Sequence, residues 1–115
     1  MNIIRPILIL TLSLASISLA QAHAFLDHAN PKVGSTVSSP SQVEVFMTEG
    51  LEGAFSKVQV FDAHGSEVDR KDVKVSGATM TVSVPTLATG TYKVIWKAVA
   101  TDTHKTSGTF KFTVQ

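Results

Sequence analysis

Residues 92–98 read Tyr-Lys-Val-Ile-Trp-Lys-Ala, and this stretch decides the fold because its large apolar side chains recur at every second position. That is the period of a β-strand, whose successive side chains point to opposite faces. One face of this strand is therefore assigned to the hydrophobic core, and it carries Tyr92, Val94, Trp96 and Ala98. The last strand of the chain should face it through Phe110, Phe112 and Val114, with Lys111 and Thr113 directed outward.

The rest of the chain shows the same alternation in short segments that are rich in β-branched residues. Turn segments with Gly, Ser or Pro separate them, no window has the period of a long helix, and Glu49–Phe55 is expected to be a loop with at most one helical turn. Leu87-x-x-Gly90-x-Tyr92 resembles a tyrosine corner, in which the phenol bonds to upstream backbone. These features predict one all-β domain, a Greek-key antiparallel β-sandwich as in immunoglobulin-like folds. The other strand segments are Val43–Met47, Val58–Phe61, Met80–Val84 and Phe110–Val114.

The first 22 residues have the pattern of a cleaved signal peptide. Arg5 provides a positive start, Ile7–Leu19 an apolar segment, and Ala20-x-Ala22 the small-residue cleavage site. The apolar segment contains one Thr and three Ser and is shorter than the ~20 apolar residues of a spanning helix. We therefore expect an exported mature domain of residues 23–115 that does not insert in a membrane, located in the periplasm if the source is Gram-negative, with His23 as its first residue.

The charge balance and the absence of cysteine limit the functions open to this domain. The whole chain has 10 basic and 9 acidic residues, and removal of Arg5 with the signal peptide leaves a net charge of zero. A neutral domain argues against nucleic acid or an anionic membrane surface as the main partner, because both favour a basic excess. Without cysteine, thiolate metal sites and disulfides are excluded.

Three residues are candidate metal ligands. An N-terminal His23 would offer its α-amine and its imidazole, and Asp102 and His104 follow the longest strand at a spacing of two. In an extended chain that spacing directs both side chains the same way. Three nitrogens and one oxygen suit tetragonal Cu(II), which also binds such sites most tightly among the divalent metals. Zn(II) remains open because it accepts the same ligand types.

Other potential ligands have simpler interpretations. Glu49, in the loop after the Val43–Met47 strand, could supply an axial oxygen or contact a ligand imidazole, or it could be a solvated carboxylate. Met47 and Met80 are in phase with core valines, which argues against a methionine-rich Cu(I) site. His28 and His64 are expected to be exposed and unligated. An alternative interpretation is that Asp102-Thr103-His104 is a solvated turn that binds no metal.

Several motifs together resemble the CopC family of periplasmic copper-resistance proteins. They are His23-Ala24-Phe25-Leu26 with Asn30-Pro31-x-x-Gly34, Glu49-Gly50-Leu51-Glu52, Gly90-x-Tyr92-x-Val94-x-Trp96, Asp102-x-His104, and Gly108-x-Phe110-x-Phe112-x-Val114. The resemblance covers essentially the whole mature chain. It implies a cupredoxin-like β-sandwich and a Cu(II) site on His23, Asp102 and His104.

The resemblance also implies a role, and this chain departs from it at two points. Family members bind or carry periplasmic copper, some of them passing it to an inner-membrane partner of the CopD type, and no such membrane domain is fused here. Some members have a Cu(I) site in a methionine-rich loop, but no methionine lies between Met47 and Met80, which suggests a Cu(II)-only member. Thr103 replaces a frequent glycine and is expected to stiffen the loop without removing a ligand.

Three functions are compatible with these sequence features. The first is a non-enzymatic periplasmic copper carrier or buffer in copper resistance or homeostasis. The second is a histidine-brace copper oxidoreductase, against which a small domain and an anionic Asp102 in the coordination plane both argue, because the carboxylate would stabilise Cu(II) against reduction. The third is a structural sandwich domain without metal. The sequence favours the copper carrier.

Overall fold

The computed structural model describes residues 24–115, so the predicted signal peptide and His23 lie outside the described residues. Eight β-strands and one short 3-10 helix make up this part of the chain. The helix, Gly53–Phe55, is the single turn expected in the Glu49–Phe55 loop. The strands are β1 (Leu26–Asn30), β2 (Thr36–Val37), β3 (Gln42–Met47), β4 (Lys57–Phe61), β5 (Lys74–Ser76), β6 (Thr79–Ser83), β7 (Gly90–Val99) and β8 (Lys105–Val114).

The strands form two four-stranded sheets. The first sheet has the order β1-β3-β6-β5 and the second sheet the order β2-β8-β7-β4. The chain crosses between the sheets after β1, β2, β3, β4 and β6, which produces the predicted Greek-key sandwich. Among the described strands, one pair differs from the antiparallel prediction, because β2 runs parallel to β8.

The core lies between the two sheets and contains the residues that the alternation predicted. Tyr92, Val94, Trp96 and Ala98 of β7 are all at most 5% exposed, and the apolar side chains of β8 are buried beside them. Met47 and Met80 are also buried, as expected of core residues. The Tyr92 hydroxyl donates to the Ala88 carbonyl oxygen over 2.6 Å, which confirms the tyrosine corner.

All five predicted strands occur, and three strands were missed. β1 has only one fully buried residue, while β2 and β5 are two and three residues long, so none of them shows a clear alternation. In addition, β8 begins at Lys105, five residues before the predicted start at Phe110. Its first half is polar and is held by pairing with β7, from Val99 opposite Lys105 to Val94 opposite Phe110. Pairing with β7, the preceding strand of the hairpin, thus extends β8 beyond its apolar part.

Within residues 24–115, none of the helical segments has the length and apolar character needed to span a bilayer.

Candidate metal centre

Asp102 and His104 lie in the tight turn that joins β7 to β8. The Thr103 amide donates to the Ala100 carbonyl over 2.8 Å, and the Ala100 amide donates to the His104 carbonyl over 2.9 Å. Thr103 has a φ of +73°, which is the left-handed conformation typical of the third residue in a three-residue hairpin loop. The two candidate ligands therefore flank a turn residue, and the extended chain assumed from their spacing is wrong.

The turn nevertheless brings the carboxylate and the imidazole together. The His104 amide donates to Asp102 Oδ1 over 3.1 Å, and His104 Nδ1 lies 3.1 Å from Asp102 Oδ2. Two donors bound side by side to one metal at about 2.0–2.2 Å lie roughly 3 Å apart, so this spacing fits a chelating pair. The side chains are 38% exposed for Asp102 and 54% for His104, which leaves both accessible to an ion from solvent.

The start of the described chain is held at the same end of the sandwich. Thr106, two residues after His104, donates its hydroxyl to the carbonyl oxygen of the fully buried Ala24 over 2.8 Å. Phe25 exchanges two hydrogen bonds with Thr48, from its amide to Thr48 Oγ1 over 2.9 Å and from the Thr48 amide to its carbonyl over 2.8 Å. Ala24, the residue that follows His23 in the sequence, is thus attached to the start of β8.

Glu49 lies in a segment that passes beside the Asp102 turn. The Thr101 amide donates to the Gly50 carbonyl over 3.2 Å, and Leu51 forms an isolated bridge with Ala100. Glu49 itself is half-buried. Residues 24–115 contain no group of three or more His, Asp or Glu side chains placed to hold one metal ion, so the structure does not join Glu49 to the Asp102–His104 pair as a third ligand.

The other candidate side chains lie away from this turn. His28 stacks on Phe46 with ring centroids 4.2 Å apart, and its Nδ1 lies 2.7 Å from Asp27 Oδ2. His64 is exposed in the turn after β4, where its amide donates to Asp62 Oδ1 over 2.9 Å. Both histidines are exposed, as expected. Met47 and Met80 are buried in the core between the sheets.

Sequence reasoning missed the threonines that hold the N-terminal segment. Thr106 was outside the predicted strand, because the alternation of β8 becomes apolar only at Phe110. Thr48 follows β3 directly and lay outside the predicted Val43–Met47 strand. A strand assignment that extended to Lys105 would have placed Thr106 opposite Ala98, on the core side, and would have marked its hydroxyl as needing a partner.

Comparison with known proteins agrees with this architecture. The CopC domain family model matches residues 26–115. Copper resistance protein C of Pseudomonas syringae pv. tomato is 37% identical over 107 residues, which cover 85% of each chain, and protein YobA of Escherichia coli K12 is 33% identical over 118 residues, covering 93% of this chain and 90% of YobA.

Two solved structures are similar over nearly their full length. CopC from Methylosinus trichosporium OB3b superposes with a TM-score of 0.76 at 31% identity and covers 81% of this chain and 94% of that one. PcoC, a methionine-rich copper resistance protein from Escherichia coli, has a TM-score of 0.73 at 29% identity, covering 82% of this chain and 100% of PcoC. The resemblance noted in the sequence is therefore confirmed by domain match, by relatives and by fold.

Proposed function

The chain belongs to the CopC family of copper-resistance proteins, and from that membership we propose that it binds one Cu(II) ion at its mature N-terminus and serves as a periplasmic carrier or buffer. The family consists of copper-binding proteins and not of enzymes. The proposed ligands are the amine and imidazole of His23, the Asp102 carboxylate and the His104 imidazole. Glu49 is retained as a proposed axial or outer contact.

One observation carries the proposal, namely the hydrogen bond between Thr106 and Ala24 beside the Asp102–His104 pair. Consecutive Cα atoms are about 3.8 Å apart, so a residue attached to Ala24 stays within a short reach of that point. Cleavage after Ala22 would make that residue an N-terminal histidine. Asp102 and His104 thus offer two donors in the turn. The proposed N-terminal His23 would offer its amine and its imidazole as two more, and it is bonded directly to Ala24, which Thr106 holds.

The oxidation state is inferred from the donor types. Nitrogen and carboxylate oxygen favour Cu(II) in a tetragonal geometry, whereas Cu(I) is selected by thioethers. PcoC is described as methionine rich, but here Met47 and Met80 are the methionines of residues 24–115, and they are 5% and 0% exposed. We therefore propose a Cu(II) protein without a Cu(I) site.

The proposed location and partner also follow from membership of the CopC family. We propose that residues 1–22 are a cleaved signal peptide, that residues 23–115 form the periplasmic copper-binding domain, and that an inner-membrane protein of the CopD type exchanges copper with it. The apolar Ile7–Leu19 segment and the Ala20-x-Ala22 site support the export step.

The test is an electron paramagnetic resonance titration with Cu(II) of protein verified to begin at His23. We expect one equivalent of tetragonal Cu(II) with nitrogen couplings, and a changed spectrum in Asp102→Ala and in His104→Ala. His64→Ala serves as the matched control, because that histidine is exposed and lies in a different loop. A form with one extra glycine before His23 should lose the amine–imidazole chelate. A spectrum that is unchanged in Asp102→Ala, in His104→Ala and in the form with the extra glycine would contradict the proposed site.

A further inference from the structure

The second sheet carries a concentration of positive charge that the net charge of the chain conceals. Its four strands contain five lysines and neither Asp nor Glu, whereas the strands of the first sheet contain one lysine and two acidic residues. All five lysines are exposed and alternate with buried residues, so they share the outward side of the sheet. We call this surface the lysine face; it comprises Lys57, Lys93, Lys97, Lys105 and Lys111.

The strand register places these lysines beside one another. Lys57 lies directly opposite Lys97, and Lys93 lies directly opposite Lys111. Like charges at opposed positions destabilise a sheet, so folding alone gives no reason for the arrangement. Within residues 24–115, no lysine of this face forms an ion pair with a carboxylate, in contrast to Lys71, which lies 3.8 Å from Glu67.

Apolar side chains lie between and beside the lysines. Ile95 and Val99 are half-buried on the outward side of β7, and Phe55, at 71% exposure, lines a groove with Lys97 and Lys105. Three carboxylates lie at the rim. Glu52 is at the Phe55 end, Asp62 is at the opposite end, where it accepts turn amides, and Glu67 accepts a hydrogen bond from Gln59. The central area is therefore cationic with an apolar floor.

We propose that the lysine face is a docking surface for anionic phospholipid headgroups, on which the protein rests without inserting. A sheet face presents its ammonium groups side by side, and such groups add their attraction to a negatively charged membrane surface. Protein interfaces are enriched in Arg and depleted of Lys, whereas all five cations here are lysines, which favours lipid over a protein partner. Phe55, exposed beside Lys97 and Lys105, adds an apolar contact at the level of the headgroups.

Docking through the lysine face would also set the position of the Asp102–His104 turn. Lys105 directly follows His104, and Thr103 lines the same groove as Phe55. A protein resting on this face holds the Asp102–His104 turn at the membrane surface, within reach of an embedded copper transporter. The docking surface does not require bound copper, so its test and the test of the copper site can fail independently.

The experiment measures co-sedimentation with vesicles, using metal-free protein that begins at His23. This form is chosen because the apolar segment of residues 7–19 would itself bind lipid, while the two sheets and the buried cluster lie within residues 24–115. The vesicles are phosphatidylglycerol with phosphatidylethanolamine in equal parts, and neutral phosphatidylcholine. We expect binding to the anionic vesicles only, and dissociation at high salt, because screening lengths fall to about 3 Å at 1 M.

Two double variants locate the binding surface. Lys93→Gln with Lys111→Gln should weaken vesicle binding about 25-fold, since each lysine near an anionic surface contributes about five-fold. Arg70→Gln with Lys74→Gln removes the same charge from exposed positions outside the lysine face and should leave binding within about two-fold. Circular dichroism confirms that both variants are folded.

Other outcomes overturn the proposal. Equal losses in the two variants would show attraction by net charge alone. Binding to phosphatidylcholine, or absence of binding to anionic vesicles at low salt, would exclude a headgroup surface. Binding to soluble polyglutamate as tight as to vesicles would assign the face to acidic polypeptides instead.

Discussion

Thr103 occupies a conformation that costs a β-branched residue energy. At φ +73° its Cβ crowds the following carbonyl, a cost of about 1–2 kcal/mol that glycine avoids. The turn requires this conformation, because the Thr103 amide must reach Ala100 while His104 returns to β8. The residue between the two proposed ligands therefore stores strain in the fold.

The first prediction concerns this strain. Thr103→Gly should raise the free energy of unfolding by about 0.5–1 kcal/mol, the left-handed cost less the greater chain entropy of unfolded glycine. Urea unfolding of the metal-free protein measures the change. Thr103→Ala is the control and should gain less, because alanine keeps a Cβ. Loss of stability in the glycine variant would mean that contacts of the threonine side chain outweigh the strain. The Cu(II) spectrum should be retained, since Asp102 and His104 are unchanged.

Asp72 predicts a pH dependence of stability. Hydrogen bonds from the Ser83 hydroxyl and the Ser83 amide hold the pKa of Asp72 below its ordinary value. A carboxyl with a lowered pKa in the folded state stabilises the fold above its unfolded pKa of about 3.9, and this contribution is lost as the pH falls through the folded pKa. Unfolding midpoints in urea should therefore drop between pH 5 and pH 2.5 less steeply in Asp72→Asn than in the parent. Ser83→Ala, which removes the hydroxyl donor, should flatten the profile in the same direction. Parallel profiles would contradict the assignment.

At the scale of the elements, the β7–β8 hairpin organises the molecule. Its ten-residue strands are paired along their whole length, supply the buried aromatic side chains of Tyr92, Trp96 and Phe112, and end in the Asp102 turn. Gly108 lies opposite Trp96, and the indole covers it. A Cβ at Gly108 would lie 2.6 Å from Trp96 Cζ2, so this glycine is needed for space and not for an unusual backbone angle.

Gly108→Ala should therefore destabilise the protein by about 1–3 kcal/mol, the usual cost of overpacking. Urea unfolding gives the magnitude, and a shift in the emission of Trp96, the one tryptophan of the chain, reports displacement of the indole. Gly50→Ala is a suitable control, because its added Cβ meets nothing closer than 3.9 Å. An unchanged emission spectrum with full stability would show that the indole adjusts without cost.

At the scale of the whole molecule, the contact between Thr106 and Ala24 joins residues 82 positions apart. It attaches the start of the domain to the hairpin that contains the proposed ligands. Without it, Ala24 would still follow His23 in the sequence, but the start of the domain would lose one connection to β8. The completeness of the proposed copper site thus depends on long-range packing.

Thr106→Val keeps the shape of the side chain and removes its hydroxyl. We expect Cu(II) affinity to fall about five-fold, which corresponds to one hydrogen bond of about 1 kcal/mol, with secondary structure retained. Competition with a chelator of known affinity measures the change. Thr109→Val on the exposed side of the same strand is the control and should bind copper like the parent. Equal affinity in all three proteins would show that Ala24 needs no anchor.

The core face of β7, the tyrosine corner and the burial of the methionines could be predicted from local sequence patterns. Alternation over residues 92–98 identified the core face of β7, the Leu87–Tyr92 spacing identified a tyrosine corner, and the methionines were correctly assigned to the core. The types of the proposed ligands are also visible in the sequence. β1, β2 and β5 were not predicted, because they are short and their pairing with neighbouring strands, more than their own alternation, defines them.

The sequence by itself determined the two-sheet class, the buried face of each long strand and a net charge near zero. Only the tertiary structure decided the left-handed Thr103 turn, the attachment of Ala24 to Thr106, and the gathering of five lysines on one sheet. The physical reason is the separation along the chain of the residues on which each feature depends. Alternation and composition are properties of neighbours in the chain, whereas register and sheet order are set by contacts between strands. These contacts gather the five lysines on one sheet and place Ala24 beside Thr106.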